Sequence, residues 1–248
     1  MRPALYPALA ILFILGLLRQ GADALMLAPP ALSGMELLYP TSDLSLRVSA
    51  SRTDGYWPYI SRKEEPPKDF TYGEFPIKFF EEVTTRATHL ITPPLAHGTD
   101  RSGATFLDLG SGAGRLVLAA AAMDSPWKLC RGVELLGSLH ALAEVKLAAG
   151  RAMPGFLQSE VLLEHTGWDA PTLDLSTVDV AFAYTTCIAQ HEGVLTGLTA
   201  ALSDKLRAGC IVVTTDYQLG VGFEQLEIIE GENLGVGDTS TAYLARKL

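Results

Sequence analysis

This chain has no excess of basic residues, no cysteine framework and no zinc-ligand spacing. Lys and Arg number 19 against 28 Asp and Glu, for a formal net charge of -9. A general nucleic-acid binder needs a basic stripe to displace phosphate counterions, so the balance carries no strong nucleic-acid signal. An acidic surface instead attracts a basic protein. Cys130, Cys187 and Cys210 are odd in number and lack CxxC spacing, which argues against disulfides and for reduced thiols, two of them beside apolar strand-type residues. The five histidines show no zinc pattern, and no metal is expected. With 19% charged and 48% hydrophobic residues over 248 positions, the composition fits one ordered α/β domain plus a short extension.

Long hydrophobic runs are also missing. The apolar stretch from Ala8 to Leu18, between Arg2 and Arg19, is too short to span a bilayer comfortably but suits a signal-peptide core. Ala22-Asp23-Ala24 supplies the small residues of a cleavage site after Ala24. Residues 1–24 therefore read as a signal peptide or targeting leader to the secretory pathway or an organelle, leaving no transmembrane span in the mature chain. An uncleaved leader acting as a membrane anchor is the alternative. From 25 to 65 the chain is rich in Pro, Ser and Thr without a sustained period, as in Ala28-Pro29-Pro30, and reads as a linker or partly ordered arm. The folded domain is expected over 66–248.

Within that domain, apolar runs and helical periods alternate. A helix is expected over 75–88, with Pro76 in its first turn, then a polar loop at 97–103. Strands follow at 105–109, 129–134, 159–163, 178–184 and 211–215. Between them lie helices at 115–123, up to Gly150, and through Leu195, Leu198, Leu202 and Leu206 to Gly209. Two last strands, 223–230 and 239–245, have no helix between them. The pattern implies an α/β, Rossmann-like, seven-stranded doubly wound sheet with an antiparallel C-terminal hairpin.

The informative run is Phe106-Leu107-Asp108-Leu109-Gly110-Ser111-Gly112-Ala113-Gly114-Arg115, followed by Gly132-Val133-Glu134-Leu135. It reads as strand, glycine turn, helix start, and a second strand ending in an acid. Gly110, Gly112 and Gly114 let bare backbone approach a ligand. Their G-x-G-x-G spacing differs from the dinucleotide G-x-G-x-x-G, whose last position is held here by Arg115. Asp108 would repel a pyrophosphate but suits the ammonium of a methionine moiety. The turn contains no lysine, which disfavours a P-loop. S-adenosylmethionine is thus the expected cofactor, with Glu134 placed to accept hydrogen bonds from ribose hydroxyls and Leu135 beside it. Glu164, His165 and Trp168 are candidates for the adenine, or else belong to an ordinary loop with one packed aromatic.

Tyr72-Gly73-Glu74 upstream of a helix, then the Asp108–Gly114 turn, then Gly132-Val133-Glu134, together resemble the disruptor-of-telomeric-silencing (non-SET histone-lysine) methyltransferases, from about Tyr72 to Leu244. The resemblance implies a class I S-adenosylmethionine-dependent methyltransferase. It implies that Tyr72 and the residues after it form a loop over the methionine end of the cofactor, and that Asp108, Gly110 and Glu134 contact it. Arg115 replaces the family's usual glutamine or asparagine. After the fourth strand, where histone-modifying members carry an Asn-Asn-Phe type segment, this chain has Ala183-Tyr184-Thr185-Thr186-Cys187. Tyr72, Glu74, Tyr184 and Thr185 are the catalytic candidates. The acceptor is a protein lysine or a small molecule. The alternative is a non-catalytic member of the fold that binds cofactor or a partner.

Overall fold

The computed structural model describes residues 30–91, 101–233, 235, 237 and 239–248. The leader of residues 1–24 lies outside them, as does the 97–100 part of the polar loop. Among the described residues no helix is long and apolar enough to cross a membrane.

Five parallel strands form the body of the sheet: β1 (Thr105–Leu109), β2 (Leu129–Glu134), β3 (Glu160–His165), β4 (Val180–Ala183) and β5 (Ile211–Thr215). The last two, β6 (Phe223–Glu232) and β7 (Thr239–Lys247), are antiparallel. The order is β3-β2-β1-β4-β5-β7-β6, so the chain reverses direction across the sheet between β1 and β4. Ligands of open α/β sheets bind at such a switch point, beyond the carboxyl ends of the strands. β1, β4 and β5 are buried along their whole length, the burial expected of strands covered on both faces.

Side-chain alternation along β1 sorts the two cores. Phe106 packs with α4 (Ile77–His89), α5 (Arg115–Ala121) and α6 (Gly137–Arg151), through residues such as Phe80, Val117 and Leu147. Leu107 and Leu109 face the other way, toward Leu198 and Leu202 of α7 (Thr196–Ser203). Asp108 falls on the Phe106 side. Gly132 permits close packing there, since a Cβ on it would lie 2.7 Å from Val117 and 2.8 Å from the Ser111 hydroxyl.

The stretch expected to be a linker or arm is folded. Residues 30–61 contain α1 (Pro30–Leu38), α2 (Leu44–Gly55) and α3 (Trp57–Ser61). Met35, Leu38 and Tyr39 join the main core, and α2 packs against α6. The period is invisible in an apolar pattern because the buried face of α2 is Arg47, Ser51 and Gly55, spaced four apart but polar or small. The remaining differences are at element ends. β3 runs to His165, β4 is shorter than expected, and α5 stops at Ala121.

Leu38→Ala tests the docking of this extension. Leu38 is 2% exposed, so the substitution should destabilise the protein by about 2–5 kcal/mol in urea unfolding. A change within about 0.5 kcal/mol, as at an exposed position, would mean that α1 does not pack on the domain.

Candidate functional site

Parallel pairing of Asp108 with Gly132 and Leu109 with Val133 brings Asp108 and Glu134 to neighbouring strand ends, with the glycine turn beside both. Gly110, Gly112 and Gly114 have φ of 75°, 55° and 79°, values that other residues adopt only with strain. The turn is pinned where Gly110 and Ser111 donate from their N–H groups to the Val133 carbonyl at 3.0 and 2.9 Å. The Gly112 N–H donates to Glu134 Oε2 at 2.8 Å, and the Leu136 N–H donates to Oε1 at 2.7 Å. From the N-terminal extension, the Tyr39 hydroxyl donates to the Ala113 carbonyl at 2.8 Å.

A cavity of about 330 Å³ opens over this turn. Asp108, Gly110 and Gly112 form its floor, and Glu134 and Leu135 one wall. The segment from Phe70 to Phe75, which covers the turn by laying the Tyr72 ring on Gly112, lines it too, as do Trp168, Asp169, Tyr184, Cys187 and Ile188. The cover is in direct contact with the floor. A Cβ on Gly112 would lie 2.9 Å from the Tyr72 ring, and one on Gly73 would lie 3.1 Å from the Tyr184 ring.

Charges cluster under the cover. Glu74 Oε1 accepts from the Tyr72 hydroxyl at 2.9 Å and from Arg47 Nε at 2.5 Å. Arg115 Nε lies 3.6 Å from Glu74 Oε2, and Arg115 Nη1 donates to the Phe75 carbonyl at 2.6 Å. Burial raises the Tyr72 phenol well above its ordinary value, reinforced by the Glu74 charge. Burial, and secondarily the neighbouring Glu134 charge, push Asp108 up to about 8. Glu134 is also raised by burial, with the Leu136 and Gly112 N–H bonds acting against the shift.

Most of the expected site residues meet here. Tyr72, Glu74, Asp108, Gly110, Gly112, Arg115, Glu134, Leu135, Trp168 and Tyr184 all line the cavity. Four others are placed elsewhere. Gly114 serves packing, since a Cβ there would lie 3.0 Å from that of Ala143. Glu164 is paired with Arg131, whose Nη2 is 2.8 Å from Oε2. The His165 ring bonds the Leu135 carbonyl at 3.0 Å and stacks on His140, so it backs the wall without reaching the cavity. Thr185 is fully buried and exchanges backbone and hydroxyl bonds with Thr215.

Three residues escaped the sequence reading. Asp169 follows Trp168 directly and lines the cavity; an acid adjoining the one aromatic of that loop was the available signal. Arg47 lies in the stretch read as a linker. Asn233, fully buried just after β6, donates to the Tyr184 hydroxyl at 3.2 Å, and nothing local in sequence marks it.

Residues 62–157 match the family model described as "Histone methylation protein DOT1". That segment contains the Tyr72-Gly73-Glu74 cover, the glycine turn and Glu134. Over that segment the chain is similar to DOT1, and its sheet has the Rossmann-like order of class I methyltransferases. Among solved structures, TrmN from Thermus thermophilus aligns with a TM-score of 0.50 and 21% identity, over 73% of this chain and 52% of its own. The chain thus shares TrmN's fold while spanning about half of its length. An RNA methyltransferase from Salinibacter ruber in complex with S-adenosyl-L-homocysteine aligns at TM-score 0.46 and 19% identity, covering 71% of this chain and 94% of that one. The rRNA methyltransferase aviRa from Streptomyces viridochromogenes aligns at 0.48 and 16%, covering 71% and 86%. No curated protein matches.

Burial of Asp108 predicts a pH-dependent stability in the ligand-free protein. Its carboxyl is raised from 3.8 to about 8 in the folded protein, so between those values the native state holds a proton that the unfolded chain has released. Raising the pH across that window therefore favours unfolding. The loss attributable to this residue is at most about 1.4 kcal/mol per pH unit. Denaturant unfolding from pH 5 to pH 8 should show the decline in the wild type and less of it in Asp108→Asn. Equal slopes in the two proteins would contradict the assignment.

Proposed function

We propose that this chain is a methyltransferase that holds S-adenosylmethionine along the cavity and methylates a nitrogen acceptor, a protein lysine, at the Tyr184 end. The observation that carries the reading is the placement of Asp108 and Glu134 in one cavity, on either side of a glycine turn that offers bare backbone. In this reading Glu134 takes the ribose. Its two oxygens already accept one N–H each, and each retains a lone pair. Asp108 takes the ammonium of the methionine moiety, and Arg115 is near enough to serve its carboxylate. Trp168 and Asp169 border the base, with a ring to stack on it and an acceptor for its amino group.

Bound there, the cofactor supplies an electrophilic methyl carbon on a sulfonium. The protein contributes position and exclusion of water. The Tyr72 ring, pressed on Gly112, covers the turn, while Tyr184 borders the opening against Gly73. The Tyr184 hydroxyl accepts from Asn233 Nδ2, which fixes the oxygen beside the cavity. A lysine must arrive with its ammonium deprotonated. Once that single proton has gone to solvent, the nitrogen lone pair is free to accept a methyl group, and the methylated nitrogen keeps its two remaining protons as a cation. The acidic net charge and the match to a histone-methylation family model support a basic protein acceptor.

A second reading, a non-catalytic cofactor binder, is favoured by one observation. Tyr184-Thr185-Thr186 stands where histone-modifying relatives carry asparagines.

Calorimetric titration should show S-adenosylhomocysteine binding, abolished by Gly110→Arg and strongly weakened by Asp108→Ala. Binding of NADH in its place would overturn the cofactor reading. Transfer of tritium from labelled S-adenosylmethionine to protein lysine separates enzyme from binder. Tyr184→Phe should lower kcat by about threefold to tenfold, the range for one lost hydrogen bond between neutral groups, without changing cofactor affinity. An unchanged kcat would remove Tyr184 from the mechanism.

A further inference from the structure

The structure assigns Arg47, which precedes the family-matched segment, as a positioning residue that holds the Tyr72–Phe75 cover closed and thereby sets cofactor affinity. The inference rests on the reading of the cavity as the cofactor site. Arg47 is 1% exposed, and a buried guanidinium left without a partner is strongly destabilising. Its carboxylate partner is Glu74, a residue of the cover, at 2.5 Å. A further bond, from Nη1 to the Pro40 carbonyl at 3.3 Å, ties it back to the extension.

The same Glu74 oxygen that meets Arg47 accepts the Tyr72 hydroxyl, and Tyr72 is the ring lying on Gly112. The position of that ring is therefore linked to α2 through one carboxylate oxygen. α2 also grips the other end of the cover. A Cβ on Gly55 would lie 2.7 Å from that of Phe70, and Gly55 shares the buried face of Arg47 and Ser51. The helix thus holds the segment at Phe70 and at Glu74, with Tyr72 between the two holds. Tertiary contact from α2 takes the place of regular structure over 71–76, which belongs to neither helix nor strand.

The test pairs amide hydrogen exchange of the free full-length protein with calorimetric titration of S-adenosylhomocysteine, in the wild type, Arg47→Met, Glu74→Gln and the double variant. Arg47→Met should speed exchange at Thr71–Phe75 about tenfold or more while β1 and β2 keep their protection. It should also weaken S-adenosylhomocysteine about tenfold, and the double variant should be no weaker than the weaker single one, as expected of coupled neighbours. Arg47→Lys, which keeps the charge but loses the guanidinium fork, should fall between and serves in place of Arg47→Met if that protein does not fold. Unchanged exchange at Thr71–Phe75, or a lowered melting temperature with unchanged affinity, overturns the proposal. A wild-type protein that fails to bind S-adenosylhomocysteine overturns the cofactor reading and the affinity half of the inference. The exchange data then still decide whether Arg47 holds the cover.

Discussion

Two buried carboxylates at adjacent strand ends, Asp108 and Glu134, are the constraint around which the site is built. Moving an anion out of water is costly unless hydrogen bonds or a counter-charge compensate. Glu134 is compensated within the protein, by N–H groups of Gly112 and Leu136, and this bonding also shapes the glycine turn. Asp108 gains less, and its raised proton affinity shows it. A cationic ligand group would restore its charge. In the free protein Asp108 keeps its proton up to about pH 8, and a ligand ammonium beside it would favour releasing that proton, which is a physical basis for selecting that class of ligand.

The second constraint is a shared carboxylate. Glu74 meets Arg47 from α2, Arg115 from α5 and the Tyr72 hydroxyl. Arg115 opens α5, where the helix dipole disfavours a cation; Glu74 offsets that position. One acid thus ties together three parts that are far apart in the chain: the extension, the cover and the helix after the glycine turn. The cluster has one more positive than negative charge, and it borders the cavity at the end where a methionine carboxylate would lie.

The limits of the β1, β2 and β5 strands are legible in the sequence because buried parallel strands form short, dense apolar runs with sharp polar or glycine ends. The glycine turn and its acids are legible for the same reason: their spacing follows from local backbone geometry. What escaped has identifiable causes. α2 buries Arg47, Ser51 and Gly55, a face without apolar residues, so no hydrophobic period marks it. β3 extends to His165, two residues further than its apolar run, which turns Glu164 and His165 from loop residues into strand residues. The loop that borders the cavity then begins at Thr166. Thr185 follows Tyr184, so when the Tyr184 ring borders the cavity the next side chain is directed away, into its bonds with Thr215.

The two ends of the cavity are encoded differently. The cofactor end draws on Tyr72 through Glu134, close in sequence and inside the segment that matches the family model. Tyr184, placed at the acceptor in the proposed function, is held by groups from separate strand termini. Tyr184 follows β4, Asp216 follows β5 with φ of 64°, and Asn233 and Ser240 flank the β6–β7 connection. Asn233 Nδ2 reaches both the Ser240 hydroxyl, at 2.8 Å, and Tyr184. Thr186 bonds Asp216, which in turn receives the Thr241 N–H at 3.1 Å. No member of this group contributes to the glycine turn or to the Asp108–Glu134 pair. Residues around Tyr184 can therefore differ without disturbing the glycine turn or the Asp108–Glu134 pair.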